Sequence, residues 1–291
     1  MFKSIDDLIS RLEQAGYYLN RDAATVIYLA WQMKRPLLVE GPAGVGKTEL
    51  AKTLAQVSQR ELIRLQCYEG LDESKALYEW DYQKQLLWIQ ANLRDELKWS
   101  DAKSVLYTRE FLLERPLLKA LTADKETVLL IDELDKSEEE FESFLLETLS
   151  EYQVTIPEYG TIKATSIPAI IITSNSAREF SEALRRRCFH LYLDYPSPET
   201  ELTIIRRKVP DIDERLGREV VHFVHLLRKQ NLRKPPSIAE TVDWAHALVS
   251  LNVVSLGKEL VHNTMMLLVK YREDFQKIAG KLDYLLLSGA K

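Results

Sequence analysis

Residues 41 to 48 read GPAGVGKT and fit the pattern G-x-x-x-x-G-K-[ST] without a gap. The apolar run PLLVE precedes them and the helical TELAKTLAQV follows, which is the strand, loop and helix context that this motif requires. The chemistry is polyphosphate binding. The loop Gly41, Pro42, Ala43, Gly44, Val45, Gly46 leads into Lys47, Thr48 and Glu49 at the opening of a helix. Glycines let backbone N–H groups wrap the β- and γ-phosphates, Lys47 adds charge there, and the Thr48 hydroxyl can ligate Mg²⁺.

Such a site needs an acid at the end of a neighbouring strand. VLLIDE supplies Asp132 as the metal-associated carboxylate and Glu133 as the group that orients or deprotonates water. The doublet points to hydrolysis, since phosphoryl transfer to a bound acceptor can manage without a dedicated base. A third stretch, SEALRRRCFH, sets Arg185, Arg186 and Arg187 side by side. Guanidinium groups repel one another and are costly to bury unpaired, so they sit in water or meet anions.

The elements that must position these groups are legible from period and punctuation. Five short runs, RPLLVE, ELIRLQC, ETVLLIDE, IPAIIITSN and FHLYLDYP, are rich in branched residues and mostly apolar throughout. That is the pattern of strands covered on both faces, and their alternation with helical segments implies an α/β domain with a parallel sheet. QVTIPEYGTIKAT reads as a β-hairpin inserted before IPAIIITSN. The segment from Glu69 to Leu121 is a long polar-aromatic insertion in which YEWDYQKQLLWIQANL reads as a helix. At the N-terminal end, Ser4 and Asp7 read as a capping pair for a helix that turns Leu8, Ile9 and Leu12 inward, and Asn20 caps a second helix through Trp31. After DYPSPE the strands stop and helical spacing takes over, which places a boundary near Ser197 between domains 1–196 and 197–291.

Composition excludes several classes. The chain has 291 residues, 46% of them apolar, enough to bury a core without disulfide staples. Its two cysteines, Cys67 and Cys188, have no metal-type spacing and read as reduced thiols. The start lacks the features of a signal peptide and no stretch has the apolar length to cross a bilayer, so the expectation is a cytoplasmic protein without membrane insertion. Net charge is −5, which argues against duplex DNA as the main ligand. From Ser197 onward there are 15 Lys+Arg against 12 Asp+Glu, while the part before carries 24 against 32. An acidic first domain beside a mildly basic second one suits either self-association or two solvated surfaces.

GPAGVGKT, LLIDE, the strand ending ITSN and the RRRC stretch occur in the order and approximate spacing of AAA+ ATPases, which the chain resembles over nearly its whole length. The hairpin just before IIITSN is similar to the MoxR branch, and LIRLQCYEGLDESKALYEWDYQKQLL resembles the CoxD-like members that accompany carbon monoxide dehydrogenase. The resemblance implies a P-loop domain with a central parallel sheet and inserted β-hairpin, followed by a small helical lid. It implies ATP and Mg²⁺ as ligands and a homo-oligomeric ring, a hexamer. It also implies a partner with a von Willebrand factor A domain and a metalloenzyme client that is remodelled or activated. Asn175 falls at the sensor 1 position, Arg187 matches the arginine finger that reaches a neighbour's γ-phosphate, and Arg185 is its nearest rival. One departure stands out: where the family has a sensor 2 arginine, PPSIAETVDW has Ala239 and Glu240, with Arg233 and Lys234 upstream as substitutes.

Two other functions use similar parts. A nucleic-acid motor or loader would need a basic pore, yet the hairpin has only Lys163 against Glu158. A small-molecule kinase leaves Asn175 and the arginines unexplained. His222 and His225, one helical turn apart, suggest no third metal ligand, and Tyr68, Tyr78, Trp80, Tyr82 and Trp88 are expected to pack the insertion against the core.

Overall fold

A computed structural model of the chain describes residues 2–92 and 99–287. The chain forms two compact units. The first comprises the described residues up to Leu12, then Leu19–Gly41 and Lys47–Tyr192; the second comprises Glu13–Tyr18, Pro42–Gly46 and the described residues from Leu193 on.

Strands β1 (Leu37–Glu40), β2 (Glu61–Gln66), β3 (Tyr78–Trp80), β4 (Leu112–Glu114), β5 (Thr127–Asp132), β6 (Gln153–Ile156), β7 (Gly160–Lys163), β8 (Ala169–Ser174) and β9 (Phe189–Tyr192) all lie in the first unit. Among the described residues five of them form one sheet in the order β2–β5–β8–β1–β9, with every neighbouring pair parallel. These are the five apolar runs of the sequence. β5 is buried along its whole length, as a central strand covered on both faces must be. Leu38, Leu129, Ile131 and Ile172 of the sheet share a core with Leu117, Leu121 and Leu145 from the helices.

Register decides where chemistry can occur. Gln66 pairs with Asp132, Ile131 with Ile172, and Glu40 with Ser174, so β1, β2, β5 and β8 end at one edge of the sheet. Residues just beyond those ends emerge together, the usual place for a ligand in an open parallel sheet.

The expected hairpin forms from β6 and β7, with Ile156 opposite Gly160. The insertion differs from its sequence reading. Tyr78–Trp80 is not the first turn of a helix but β3, paired antiparallel with β4. The helix starts only at Tyr82, because the Asp81 carboxylate caps it by accepting from Lys84 N at 2.9 Å while Asp81 N donates to Phe111 O. The helix ends at Ala91, and Leu93, the last residue of the expected helix, lies outside the described residues. Trp80 is buried, stacking edge-on with Tyr107, and Tyr78 and Trp88 pack on the same core, whereas Tyr82 is 67% exposed and Tyr68 45%.

At the start of the chain, Ser4 Oγ caps the helix Ile5–Ala15 by accepting from Asp7 N at 3.1 Å. Asp7 does not complete a reciprocal box; its carboxylate accepts from Lys3 N instead. Asn20 caps the helix Arg21–Gln32 as expected, accepting from Ala23 N at 2.8 Å.

The second unit is helical: Pro198–Lys208, Glu214–Arg228, Ile238–Ser250, Lys258–Thr264, Arg272–Ala279 and Leu282–Leu287. Val220, Val224, Trp244, Leu248, Val261 and Met265 fill its core. Inside that packing Glu201 is fully buried, where Arg228 grips it with two bonds of 2.6 and 2.8 Å and His225 Nε2 lies 2.8 Å away. His225 is thus half of a carboxylate pair, and among the described residues no group of three His, Cys, Asp or Glu could hold a metal ion. No helix among them is long and apolar enough to cross a membrane.

Candidate functional site

Lys47 is the first residue of the helix Lys47–Ser58, where unpaired N–H groups and the helix dipole favour an anion. The residue is 6% exposed, and its ammonium donates to Gly41 O at 2.7 Å and to Asn175 Oδ1 at 2.9 Å. Burial pulls its pKa below the ordinary lysine value, and the carboxylates of Asp135, Glu133 and Asp132 oppose that pull. Thr48, next on the helix, donates its hydroxyl to Asp132 Oδ1 at 2.9 Å. Asp132 closes β5 with 1% exposure and takes a second hydroxyl, Thr173 Oγ1, on the same oxygen at 2.6 Å. A buried carboxylate beside a threonine hydroxyl is the hard-oxygen donor set that suits Mg²⁺.

Glu133 follows at once with φ 57° and ψ 49°, the left-handed region that a residue with a Cβ avoids at a cost of about 1–2 kcal/mol. Its N–H is fixed on Thr173 Oγ1 at 2.9 Å. Its carboxylate accepts from Gln66 Nε2 at 2.9 Å, Lys136 Nζ at 2.7 Å and Asn175 Nδ2 at 3.4 Å. The bond to Glu133 raises the Lys136 pKa. Asp135 organises the far side: one carboxylate oxygen accepts from the backbone N–H groups of Asn175 and Ala177, each at 3.1 Å, and so presents Asn175 at the end of β8. Lys47, Thr48, Asp132, Glu133 and Asn175 therefore form one hydrogen-bonded group in the first unit.

The apex of the glycine loop packs within the second unit. Gly44 and Gly46 have φ of 80° and 99°, which only glycine adopts without strain. Tyr17 donates to Gly46 O at 3.1 Å, and Tyr195 reaches Ala43 O at 3.5 Å. Ile238 N donates to Gly44 O at 3.4 Å, and a Cβ on Gly44 would come within 2.2 Å of Ser237 Cβ. Ser237 caps the helix Ile238–Ser250 in a full box with Glu240. Glu240 is thus a capping group, Lys234 Nζ sits on it at 3.1 Å, and the Arg233 guanidinium lies 4.3 Å from the Tyr271 ring centre.

Residues 36–188 match the family model described as the AAA domain of the dynein-related subfamily. The chain belongs to that family. Its AAA domain is thereby an ATPase domain, and the five-stranded order above is that of the AAA+ fold. Among curated proteins, the gas vesicle ATPase GvpN of Haloferax mediterranei is 26% identical over 205 residues, 67% of this chain but only 57% of that protein's length. An uncharacterized protein of Staphylococcus saprophyticus is 25% identical over 244 residues, 81% of this chain and 84% of its own. A mutant of RuvB from Thermotoga maritima has a similar fold, with a TM-score of 0.50 and 18% identity over 98% of this chain and 84% of that one.

In this AAA domain the arginines form a separate group at the end of the helix Glu182–Arg187. Arg187 bonds Ser150 Oγ and Ala183 O, Arg186 bonds Glu182, and Arg185 lies 3.7 Å from the buried Glu40, which also holds His190. Glu49 stays on the helix surface, 3.8 Å from Lys52. Sequence reasoning passed over Arg64, Gln66 and Thr173, which bond the central acids Asp132 and Glu133, and Asp135, which holds the backbone of Asn175. The signal was available for two of them: ELIRLQC sets an arginine and a glutamine two apart, hence on one face of an otherwise apolar strand.

Proposed function

We propose that the protein is a MoxR-type AAA+ machine that hydrolyses ATP and uses the cycle to remodel or activate a client protein. The observation that carries the ATPase chemistry is the convergence of Lys47, Thr48, Asp132, Glu133 and Asn175 within hydrogen-bond reach at the ends of β5 and β8. Lys47 and the loop N–H groups of residues 41 to 48 bind the β- and γ-phosphates. Thr48 and Asp132 would hold Mg²⁺, which when bound supplies charge compensation for the phosphates. Glu133 accepts the proton of the attacking water, and Asn175 orients that water against the terminal phosphate.

Arg187, with Arg185 as the alternative, acts as a finger on the nucleotide of a neighbouring copy in a hexameric ring. Support comes from their place at a helix terminus apart from the cis cluster, where Arg187 is held only by the neutral Ser150 hydroxyl and Ala183 carbonyl, which a neighbour's phosphate can outcompete, while Arg185 lies 3.7 Å from the buried Glu40. The CoxD-like resemblance extends the reading to a partner with a von Willebrand factor A domain and to metalloenzyme maturation in the cytoplasm, with the domain boundary in the sequence near residue 197. A phosphate-release assay tests the chemistry: Lys47→Ala should lose nucleotide binding, and a phosphorylated small-molecule product instead of free phosphate would make the protein a kinase.

A further inference from the structure

Strand β2 alternates Ile63 and Leu65 toward the core with Arg64 and Gln66 on the other face. In the register of β2 on β5, Arg64 lies opposite Leu130, two residues short of Asp132 and on the same face. From there its guanidinium runs along the sheet to the carboxylate that ends β5. Nε donates to Asp132 Oδ2 at 3.0 Å and Nη2 to the same oxygen at 2.6 Å. Nη2 also touches Gln66 Oε1, the amide whose nitrogen holds Glu133.

The two oxygens of Asp132 are thus used differently. Oδ1 takes two neutral hydroxyls, from Thr48 and Thr173. Oδ2 takes a cation. A bond from the Thr48 hydroxyl proton to Oδ1 leaves the hydroxyl lone pairs free for a metal, so that half of the arrangement persists when Mg²⁺ arrives. The Oδ2 half does not persist, because a guanidinium and a divalent ion with its waters compete for one oxygen and repel each other. The arginine can leave readily: its side chain is 46% exposed while the carboxylate it holds is 1% exposed.

We propose that Arg64 gates the metal position by holding Asp132 Oδ2, and that it must swing away before Mg²⁺ binds with the nucleotide. This rests on the reading of Lys47, Thr48 and Asp132 as an Mg·ATP site. Arg64 is a positioning residue: it sets the Mg²⁺ concentration at which the site fills, and it keeps Asp132 neutralised before then.

The test follows a fluorescent ADP analogue on the full-length protein, bound first in EDTA and then titrated with Mg²⁺, with Mn²⁺ paramagnetic resonance as a direct count of bound metal. Arg64→Gln and Arg64→Ala should bind the analogue without metal about as well as the wild type. Both should need roughly ten- to a hundred-fold less Mg²⁺ for half-saturation, the range carried by hydrogen bonds to a charged group. A midpoint that is unchanged, or that rises because Arg64 helps to hold the metal or the γ-phosphate, would overturn the proposal. In the wild type itself, the Arg64 Nε–H should exchange slowly with water in the metal-free ADP complex and quickly once Mg²⁺ is added; equal protection in both states would also overturn it. If the folded wild type bound no analogue even at saturating Mg²⁺, the phosphate-site reading would fall first, a result distinct from an unmoved midpoint.

Discussion

Replacing Gly44 with Ala tests how the loop apex is built into the second unit. At φ 80° an L-residue is strained by about 1–2 kcal/mol. The new Cβ would sit 2.2 Å from Ser237 Cβ, which is anchored to the helix start and cannot rotate away. Relief needs a shift of about 1 Å in either the loop or the cap, and overpacking of this kind costs about 1–3 kcal/mol. The sum is about 2–5 kcal/mol, or a fall in Tm of roughly 5–15 °C for a chain of this size. A double-mutant cycle separates the two parts. Ser237→Gly alone should cost a few tenths of a kcal/mol, as a cap exchange does, yet in the Gly44→Ala background it should restore about 1–3 kcal/mol by removing the collision. The strain of the backbone should remain. Thermal unfolding of the four proteins measures this directly. Additive effects, or a Gly44→Ala protein as stable as the wild type, would refute the close approach.

Three further outcomes follow from the same structure. Cys67 and Cys188 are buried and their thiols are pushed up to about 12, so a colorimetric thiol reagent at neutral pH should find none in the native protein and both after denaturation. Burial alone would raise the Glu201 pKa, but hydrogen bonds from His225 and Arg228 outweigh it and the net value is lowered; the stability it contributes is present above the unfolded carboxylate pKa and is lost as pH falls through the lower folded one. Glu201→Gln should therefore cost about 3–5 kcal/mol near neutrality and flatten that acid limb, as read by denaturant unfolding at several pH values. Under the proposed ring assembly, Arg187→Ala and Glu133→Gln proteins should each be nearly inactive, whereas their mixture should recover part of the phosphate release; no recovery with Arg187→Ala or with Arg185→Ala would count against a finger in trans.

The sheet was legible because each strand of a doubly covered parallel sheet must be apolar along its length, and the runs around Leu38, Leu129 and Ile172 are. β3 was not, because a three-residue strand ahead of a capped helix has the same local composition as a first helical turn, and only the pairing with β4 separates them. The P-loop and the Asp132–Glu133 doublet carry their chemistry in residue type and spacing. Thr173 and Asp135 do not: they act through hydrogen bonds between segments far apart in sequence, which no local pattern encodes, and for Arg64 the spacing with Gln66 marks a polar face but only the register of β2 on β5 shows that it reaches Asp132. The departure at Ala239 was visible as a missing arginine, but the backbone contact of Gly44 with Ile238 at that helix start required the fold.

Single-turnover phosphate release from bound Mg·ATP, measured beside equilibrium binding of the same nucleotide, addresses the central claim most directly. Glu133→Gln keeps the shape of the side chain and its place beside Gln66 and Asn175, but it cannot accept a proton. The account predicts ATP binding close to that of the wild type with release slowed by roughly 10²–10⁴-fold. Release at the wild-type rate, with binding intact, would contradict the assignment of Glu133 as the base and with it the hydrolytic reading of this site.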